Sequence, residues 1–165
     1  MREGKPKKKM TVEAAKLRLE ALCAQSEQCS MDLRQKLYRW EISASDSETI
    51  LKHLIDLRFV DDARFAVAYC RDKCRFNHWG KIKIAYGLRS KRIPSQYIQE
   101  ALNAIEDDEY IQILESVIRI KAKTIKDIDT YEGRTKLFRY VASRGFEIDL
   151  ISDIIKNRDR WLSAD

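Results

Sequence analysis

The chain has 165 residues, of which 44% are hydrophobic and 35% charged, and its 32 Lys+Arg against 26 Asp+Glu give a net charge of +6. It has no run of about 18 apolar residues and no apolar segment behind its basic start, so we predict neither a membrane-spanning helix nor a secretory signal. Only five Gly and two Pro leave few tight turns, which disfavours an all-β fold and favours a helical, cytoplasmic protein.

Positive charge is concentrated in two segments. Residues 1–10 carry five basic side chains and one acidic one, and residues 59–105 carry nine and four. The first segment has no apolar residue between Arg2 and Lys9, so nothing offsets the entropy lost on ordering it. We therefore predict a disordered basic arm at residues 1–10.

Helix-start signals follow one another along the chain. Thr11 is predicted to cap the first helix and Ser30 the second, while Ser45 and Glu48 form a capping box for the third. The adjacent carboxylates of Asp61–Asp62 are expected to begin a longer fourth helix, because the amino end of a helix attracts negative charge.

One apolar spacing recurs three times. The steps are 4, 5, 8 and 4 in the first copy and 4, 5, 5 and 4 in the other two. A step of four is one helical turn, and a step of five is expected to span a helix end, a short turn and the next helix entry. The positions are Leu33, Leu37, Ile42, Ile50 and Leu54; Ile84, Leu88, Ile93, Ile98 and Leu102; and Leu137, Val141, Phe146, Ile151 and Ile155.

A longer predicted helix precedes each copy, so each repeat is expected to have three helices. We predict an all-α fold of about nine helices in three tandem three-helix repeats at residues 11–58, 59–105 and 106–158, followed by a C-terminal tail at 159–165. Units of about 50 residues are marginal alone, so neighbouring repeats are expected to pack together in an elongated, curved array.

Motifs for metal binding and catalysis are weak. Cys70, Cys74 and His78 recur at intervals of four, but zinc sites usually take a second ligand pair from another element, and none accompanies them. A Cys74–His78 nucleophile pair lacks an oxyanion donor and an orienting third group. There is no glycine-rich phosphate loop. We predict buried or half-buried thiols, no metal, no cofactor and no enzymatic activity.

The second repeat carries a specific resemblance to a known family. It contains Asp-Asp-Ala-Arg-Phe-Ala at residues 61–66, a Gly-x-x-x-Ile stretch beginning at Gly80, and Leu-Arg-Ser-Lys-Arg-Ile at residues 88–93. These motifs resemble the RecX family of recombinase regulators, and the resemblance extends over about residues 12–158. That family often has Gly in the turn after the second helix. Only Gly145 keeps it here, so the turns at Glu41 and Arg92 are expected to close differently or to accept strain.

The resemblance implies a function and a partner. It implies a protein that lies in the groove of the RecA recombinase filament on single-stranded DNA and restrains ATP hydrolysis, filament extension and strand exchange. It implies no catalytic residue. We therefore predict a non-enzymatic regulator that acts as a monomer, with no membrane contact.

Basic residues of the second repeat are the candidate contacts with acidic recombinase surface or exposed DNA backbone: Arg64, Arg71, Lys81, Lys83, Arg89, Lys91 and Arg92. The alternative for Arg64 is an internal pair with Asp61, Asp62 or one of their neighbours. The signature residues are predicted to be structural, as cap and core: Asp61, Asp62, Phe65, Ala66 and Gly80. The interleaved aromatic residues Trp79, Tyr86 and Tyr97 are expected to fill the core more readily than to stack on bases.

A second hypothesis comes from another class of protein. Three-helix units can present a helix to a DNA groove, so a DNA-binding module acting as a transcriptional or architectural factor is the alternative. It predicts that affinity for single-stranded or duplex DNA falls steeply with salt and that the protein functions without a recombinase.

Overall fold

The structure, a computed structural model, describes residues 10–157, and this part of the chain forms nine α-helices and no β-strand. The all-α prediction is confirmed. The helices are α1 (Val12–Gln25), α2 (Ser30–Arg39), α3 (Ala44–Asp56), α4 (Asp62–Arg75), α5 (Lys81–Ser90), α6 (Ser95–Asn103), α7 (Asp107–Ala122), α8 (Tyr131–Ser143) and α9 (Ile148–Lys156). The predicted arm, except for Met10, and the predicted tail lie outside the described residues. None of the described helices has the length and apolarity needed to cross a membrane.

The chain divides into two compact units, with the division after Phe65, inside α4. In the first unit, α1, α2 and α3 enclose one apolar core because each places its apolar residues a turn apart on one face. Its buried members are Ala15, Leu19, Leu33, Leu37, Ile50, Leu51, Leu54 and Val60. The second unit contains α5 to α9 and the rest of α4.

Two of the three predicted serine and threonine caps differ from those observed. Thr11 does cap α1, since its hydroxyl accepts the amide of Ala14 at 3.2 Å. The cap of α3, however, lies two residues earlier than predicted. Ser43 is the cap residue, and its hydroxyl accepts the amide of Asp46 at 3.1 Å and donates to the Asp46 carboxylate at 2.6 Å. The sequence contains two overlapping serine-to-acid spacings here, and the earlier one gives the longer helix.

The start of α2 depends on a carboxylate from α4. Ser30 is the first residue of α2 and does not cap it as predicted, while Cys29 holds the cap position without a side-chain hydrogen bond. The amide and hydroxyl of Ser30 both donate to Asp62, at 2.8 and 2.6 Å. Asp61 alone caps α4, through the amides of residues 63–64 at 3.0 Å. The two adjacent aspartates therefore stabilise the starts of two different helices.

Four helix ends are followed by a residue with a positive φ. The φ values are 58° at Glu41, 57° at Arg58, 57° at Arg92 and 87° at Gly145. In the first three turns the next amide donates to the carbonyl five residues back, at distances of 2.9 to 3.2 Å. This is the Schellman motif, whose apolar pair explains the first step of five in the copies that contain Leu37–Ile42 and Leu88–Ile93. The non-glycine turns accept left-handed strain and keep the same hydrogen bonds.

Glu41→Gly is expected to raise the free energy of unfolding by about 1 kcal/mol, because glycine adopts a positive φ without the steric cost of a Cβ atom. Urea denaturation followed by circular dichroism measures the change. Glu41→Ala is the matched control, since it removes the same carboxylate but keeps the Cβ atom. Equal stabilisation by both variants would show that charge, and not backbone strain, is responsible.

Candidate partner-binding surface

Three of the seven predicted contact cations are already paired with carboxylates. The pairs are Arg64–Glu27 at 2.5 Å, Arg71–Asp72 at 3.2 Å and Lys81–Asp107 at 3.4 Å. The hydrogen bond that Arg64 donates to Glu27 raises the pKa of Arg64 above its ordinary value. Arg64 also donates to the carbonyl of Arg58 at 3.2 Å. Its side chain thus makes the internal pairing that was the alternative, although with Glu27 and not with a neighbouring aspartate.

The other four cations differ in their burial and in their hydrogen-bond partners. Lys83 donates to the carbonyl of Ser143 at 3.3 Å, and Lys91 is half-buried. Arg89 and Arg92 are exposed, and within residues 10–157 neither has a hydrogen-bond or ion-pair partner for its guanidinium. These two arginines are therefore the predicted contacts best placed to bind another molecule.

Helix α5 separates a buried face from an exposed one. Its buried side chains are Ile84, Ala85 and Leu88. The outward-facing residues of α5 and its closing turn form what we call the α5 surface: Ile82, Tyr86, Arg89 and Arg92. Tyr86 is 73% exposed, so the expectation that it fills the core is wrong, whereas Trp79 and Tyr97 are half-buried.

The α5 surface combines apolar area with uncompensated positive charge. Ile82 is 54% exposed, and no acidic residue occurs between Asp72 and Glu100 in the sequence. Exposed tyrosine and arginine side chains are enriched among the residues that contribute most to protein–protein binding. The surface therefore suits an anionic partner that also offers an apolar contact.

The backbone amides at the start of α5 donate hydrogen bonds to carbonyls of the second unit that are distant in sequence. The amides of Gly80 and Ile82 donate to the carbonyls of Arg144 and Gly145, at 2.9 and 3.0 Å. These carbonyls belong to the turn between α8 and α9, so that turn satisfies amides that the helix itself leaves unpaired. A Cβ atom on Gly80 would lie 2.1 Å from the Gly145 oxygen, so only glycine allows this approach.

A buried tyrosine accepts a third backbone amide at the start of α5. The Tyr110 hydroxyl accepts the amide of Lys81 at 2.9 Å and donates to the Glu147 carboxylate at 2.6 Å. Burial, followed by the bond to Glu147, holds the pKa of Tyr110 above its ordinary value, so the phenol keeps the proton that it donates. No local sequence pattern indicated this role, because the three residues are separated by 29 and 37 positions.

The signature residues Phe65 and Ala66 and the thiols of Cys70 and Cys74 lie in the interior. Phe65 and Ala66 are buried, as a role in the core requires. Burial raises the pKa of the Cys70 thiol to about 12 and also raises that of Cys74. Both thiols are therefore protonated at neutral pH, which makes them weak nucleophiles. Within residues 10–157, no group of three or more His, Cys, Asp or Glu side chains is placed to hold a metal ion.

This fold defines a class of proteins built from three-helix repeats, and comparisons with known proteins identify its family. The family model described as RecX, second three-helix domain, matches residues 61–102. Regulatory protein RecX of Prosthecochloris aestuarii is 32% identical over 125 residues, which cover 76% of this chain and 80% of that protein. The chain belongs to the RecX family of regulatory proteins, as the motifs of the second repeat predicted.

Other relatives define the extent of the match. Regulatory protein RecX of Clostridium acetobutylicum is 31% identical over 129 residues, and the chain covers 59% of its length. The crystal structure of RecX from Lactobacillus salivarius superimposes with a TM-score of 0.77 at 21% identity, covering 90% of this chain and 96% of that one. The latter likeness concerns the fold, and it agrees with the predicted three-helix repeats.

Proposed function

We propose that this chain binds the RecA recombinase filament on single-stranded DNA, in the filament groove, and restrains its ATP hydrolysis, extension and strand exchange without a reaction of its own. The α5 surface is the observation that carries the proposal, because two of its arginines lack partners in the described residues. The RecX motifs of residues 61–66 and 88–93 indicate which partner that surface meets. The protein acts as a monomer in the cytoplasm.

A binding protein can change filament assembly only if it binds the assembled and free states of the recombinase with different affinities. A groove between recombinase subunits exists only in the filament, so a surface complementary to it has that preference. Arg89 and Arg92 supply positive charge for recognition, and Tyr86 supplies contact area with few rotatable bonds.

The double variant Arg89→Gln/Arg92→Gln is expected to need at least tenfold more protein for half-maximal inhibition of recombinase ATP turnover on single-stranded DNA. Glutamine removes the charge and keeps a side chain of similar length at both positions. The matched control is Lys123→Gln/Lys126→Gln, which removes two charges from exposed residues between α7 and α8. Equal inhibition by both double variants would exclude the α5 surface as the contact.

A DNA-binding module remains the second candidate function, favoured by the absence of acidic residues between Asp72 and Glu100. It requires tight, sequence-selective duplex binding and no effect on recombinase ATP turnover at any concentration. Each neutralised phosphate would then contribute about 0.9 to the slope of log affinity against log salt on duplex DNA. Such a pair of results would reverse the order of the two candidates.

A further inference from the structure

The buried face of α4 carries two thiols one helical turn apart in the second unit. Ala66, Cys70 and Cys74 are buried at steps of four, and the two cysteines are only 1% and 2% exposed. Helix α7 buries Leu114 and Ile118 at the same step. The buried side chains of α4 are smaller than those of α7, so they fill less of the space beside the helix.

A cavity of about 120 Å³ lies against both thiols. This volume is well above the roughly 10–15 Å³ that one water molecule needs, so it also admits a metal ion. Arg75 and Glu109, whose side chains form an ion pair at 2.6 Å and remain accessible to solvent, line the cavity as well. The apolar part of its lining comes from α4, from α6 and from the connection between α6 and α7: Val67, Ala101, Ala104 and Ile105.

The two cysteines are the soft ligands of this cavity. His78 continues the sequence interval of four, but it lies beyond Arg75, the last residue of α4, and has a φ of 51°. It therefore leaves the helix face that the thiols share, and it does not line the cavity. Among residues 10–157 no third His, Cys, Asp or Glu joins the two thiols in a metal-holding group. A structural zinc site needs four ligands, so this pair does not form one.

We propose that Cys70 and Cys74 bind one soft monovalent metal ion, with the chemistry of Cu(I), as a two-coordinate dithiolate. Side chains four apart on a helix have Cβ atoms about 5–6 Å apart. A linear sulfur–metal–sulfur unit with bonds of about 2.3 Å spans about 4.6 Å, which two sulfurs turned toward each other match. Thiolate sulfur selects Cu(I), and this ion, unlike zinc, is stable with two ligands.

Binding exchanges two protons for one metal ion. Each S–H bond breaks, each sulfur forms one bond to the metal, and both protons pass to solvent without any transfer of electrons. The resulting complex has one net negative charge, and Arg71 and Arg75 supply positive charge in the lining of the same cavity. The apolar lining limits the access of water to the metal–sulfur bonds. The proposal goes beyond the proposed function and requires neither recombinase nor DNA.

The test titrates the full chain with Cu(I) under nitrogen, in competition with a chromophoric Cu(I) chelator. Cys70→Ser/Cys74→Ser is expected to lower the affinity at least about a hundredfold, because a hydroxyl oxygen is a poor ligand for a soft ion. The matched control is Cys23→Ser/Cys29→Ser, which removes two thiols from the first unit and should leave the affinity close to that of the parent chain.

Two further measurements test the number of ligands. Each single variant, Cys70→Ser or Cys74→Ser, should lose nearly as much affinity as their double variant, because one remaining thiol cannot chelate the ion. X-ray absorption of the unsubstituted chain with one equivalent of Cu(I) should show two sulfur ligands, and this result does not depend on any variant folding. Circular dichroism establishes that each variant is folded before titration.

Three results would overturn the proposal: equal affinity losses in the two double variants, a third sulfur or a nitrogen ligand in the absorption spectrum, or parent-like affinity in a single variant. Binding of Zn²⁺ as tight as that of Cu(I) would also contradict it, because two thiols do not satisfy zinc. The assay contains no recombinase, so its outcome is independent of the ATP-turnover experiment.

Discussion

Gly80→Ala is expected to lower the free energy of unfolding of the second unit by about 3 kcal/mol. The new Cβ atom would lie 2.1 Å from the Gly145 carbonyl oxygen, and no rotation about a side-chain bond can move either atom away. Separating the two segments lengthens the hydrogen bonds from the amides of Gly80 and Ile82 to the α8–α9 turn. Overpacking costs typically 1–3 kcal/mol, and each weakened hydrogen bond adds about 1.

Gly87→Ala is the control for Gly80→Ala, because Gly87 lies inside the same helix. Its Cβ atom would lie 2.4 Å from the Tyr69 hydroxyl oxygen, which is the far end of a flexible side chain. Alanine also gains about 1 kcal/mol over glycine in a helix interior. Urea denaturation should therefore show a much smaller change for Gly87→Ala. Equal losses in the two variants would mean that the contact between Gly80 and Gly145 is not tight in solution.

Tyr110→Phe is expected to cost about 2 kcal/mol of unfolding free energy. The substitution removes only the hydroxyl group, and with it the acceptor of the Lys81 amide and the donor to Glu147. Hydrogen bonds to charged groups contribute about 1.5–3 kcal/mol, and the ring of the new residue keeps the apolar packing. The Tyr110 ring packs 5.4 Å from that of Phe146, centre to centre, and this contact remains.

Tyr97→Phe is the matched control for Tyr110→Phe. Tyr97 is half-buried, and in the described part of the chain its hydroxyl has no hydrogen-bond partner. Its removal should change the unfolding free energy by less than about 0.5 kcal/mol. If Tyr110→Phe is equally neutral, the amides at the start of α5 are satisfied without the phenol.

The fold could be predicted from the sequence because its main determinants are residues close together in the chain. Apolar residues four apart lie on one helix face, and the step of five corresponds to the C3 and C″ positions of a Schellman turn, as with Leu37 and Ile42. The turn survives without glycine at Glu41, so the spacing is a better indicator of it than residue identity. The shifted cap at Ser43 shows the limit of such local patterns, since two equivalent serine-to-acid spacings overlap there.

The candidate surface was harder to predict from the sequence, because it depends on contacts between residues that are distant in sequence. Arg64 is removed from the set of available cations by Glu27, which is 37 positions away. Asp62 likewise bonds Ser30, 32 positions away, which no local helix rule indicates. The exposure of Tyr86 follows from which neighbours cover each face of α5, and composition does not reveal those neighbours.

The dependence of α5 on the α8–α9 turn has a consequence for genetics. A screen for chains that have lost the proposed regulation of the recombinase would collect substitutions at Gly145 and Tyr110 together with those at the proposed contact Arg89, although the first two lie in the interior. Temperature would distinguish the two kinds of allele. Interior alleles should recover at low growth temperature as the folded population rises, whereas alleles that remove a contact charge should stay defective at every temperature.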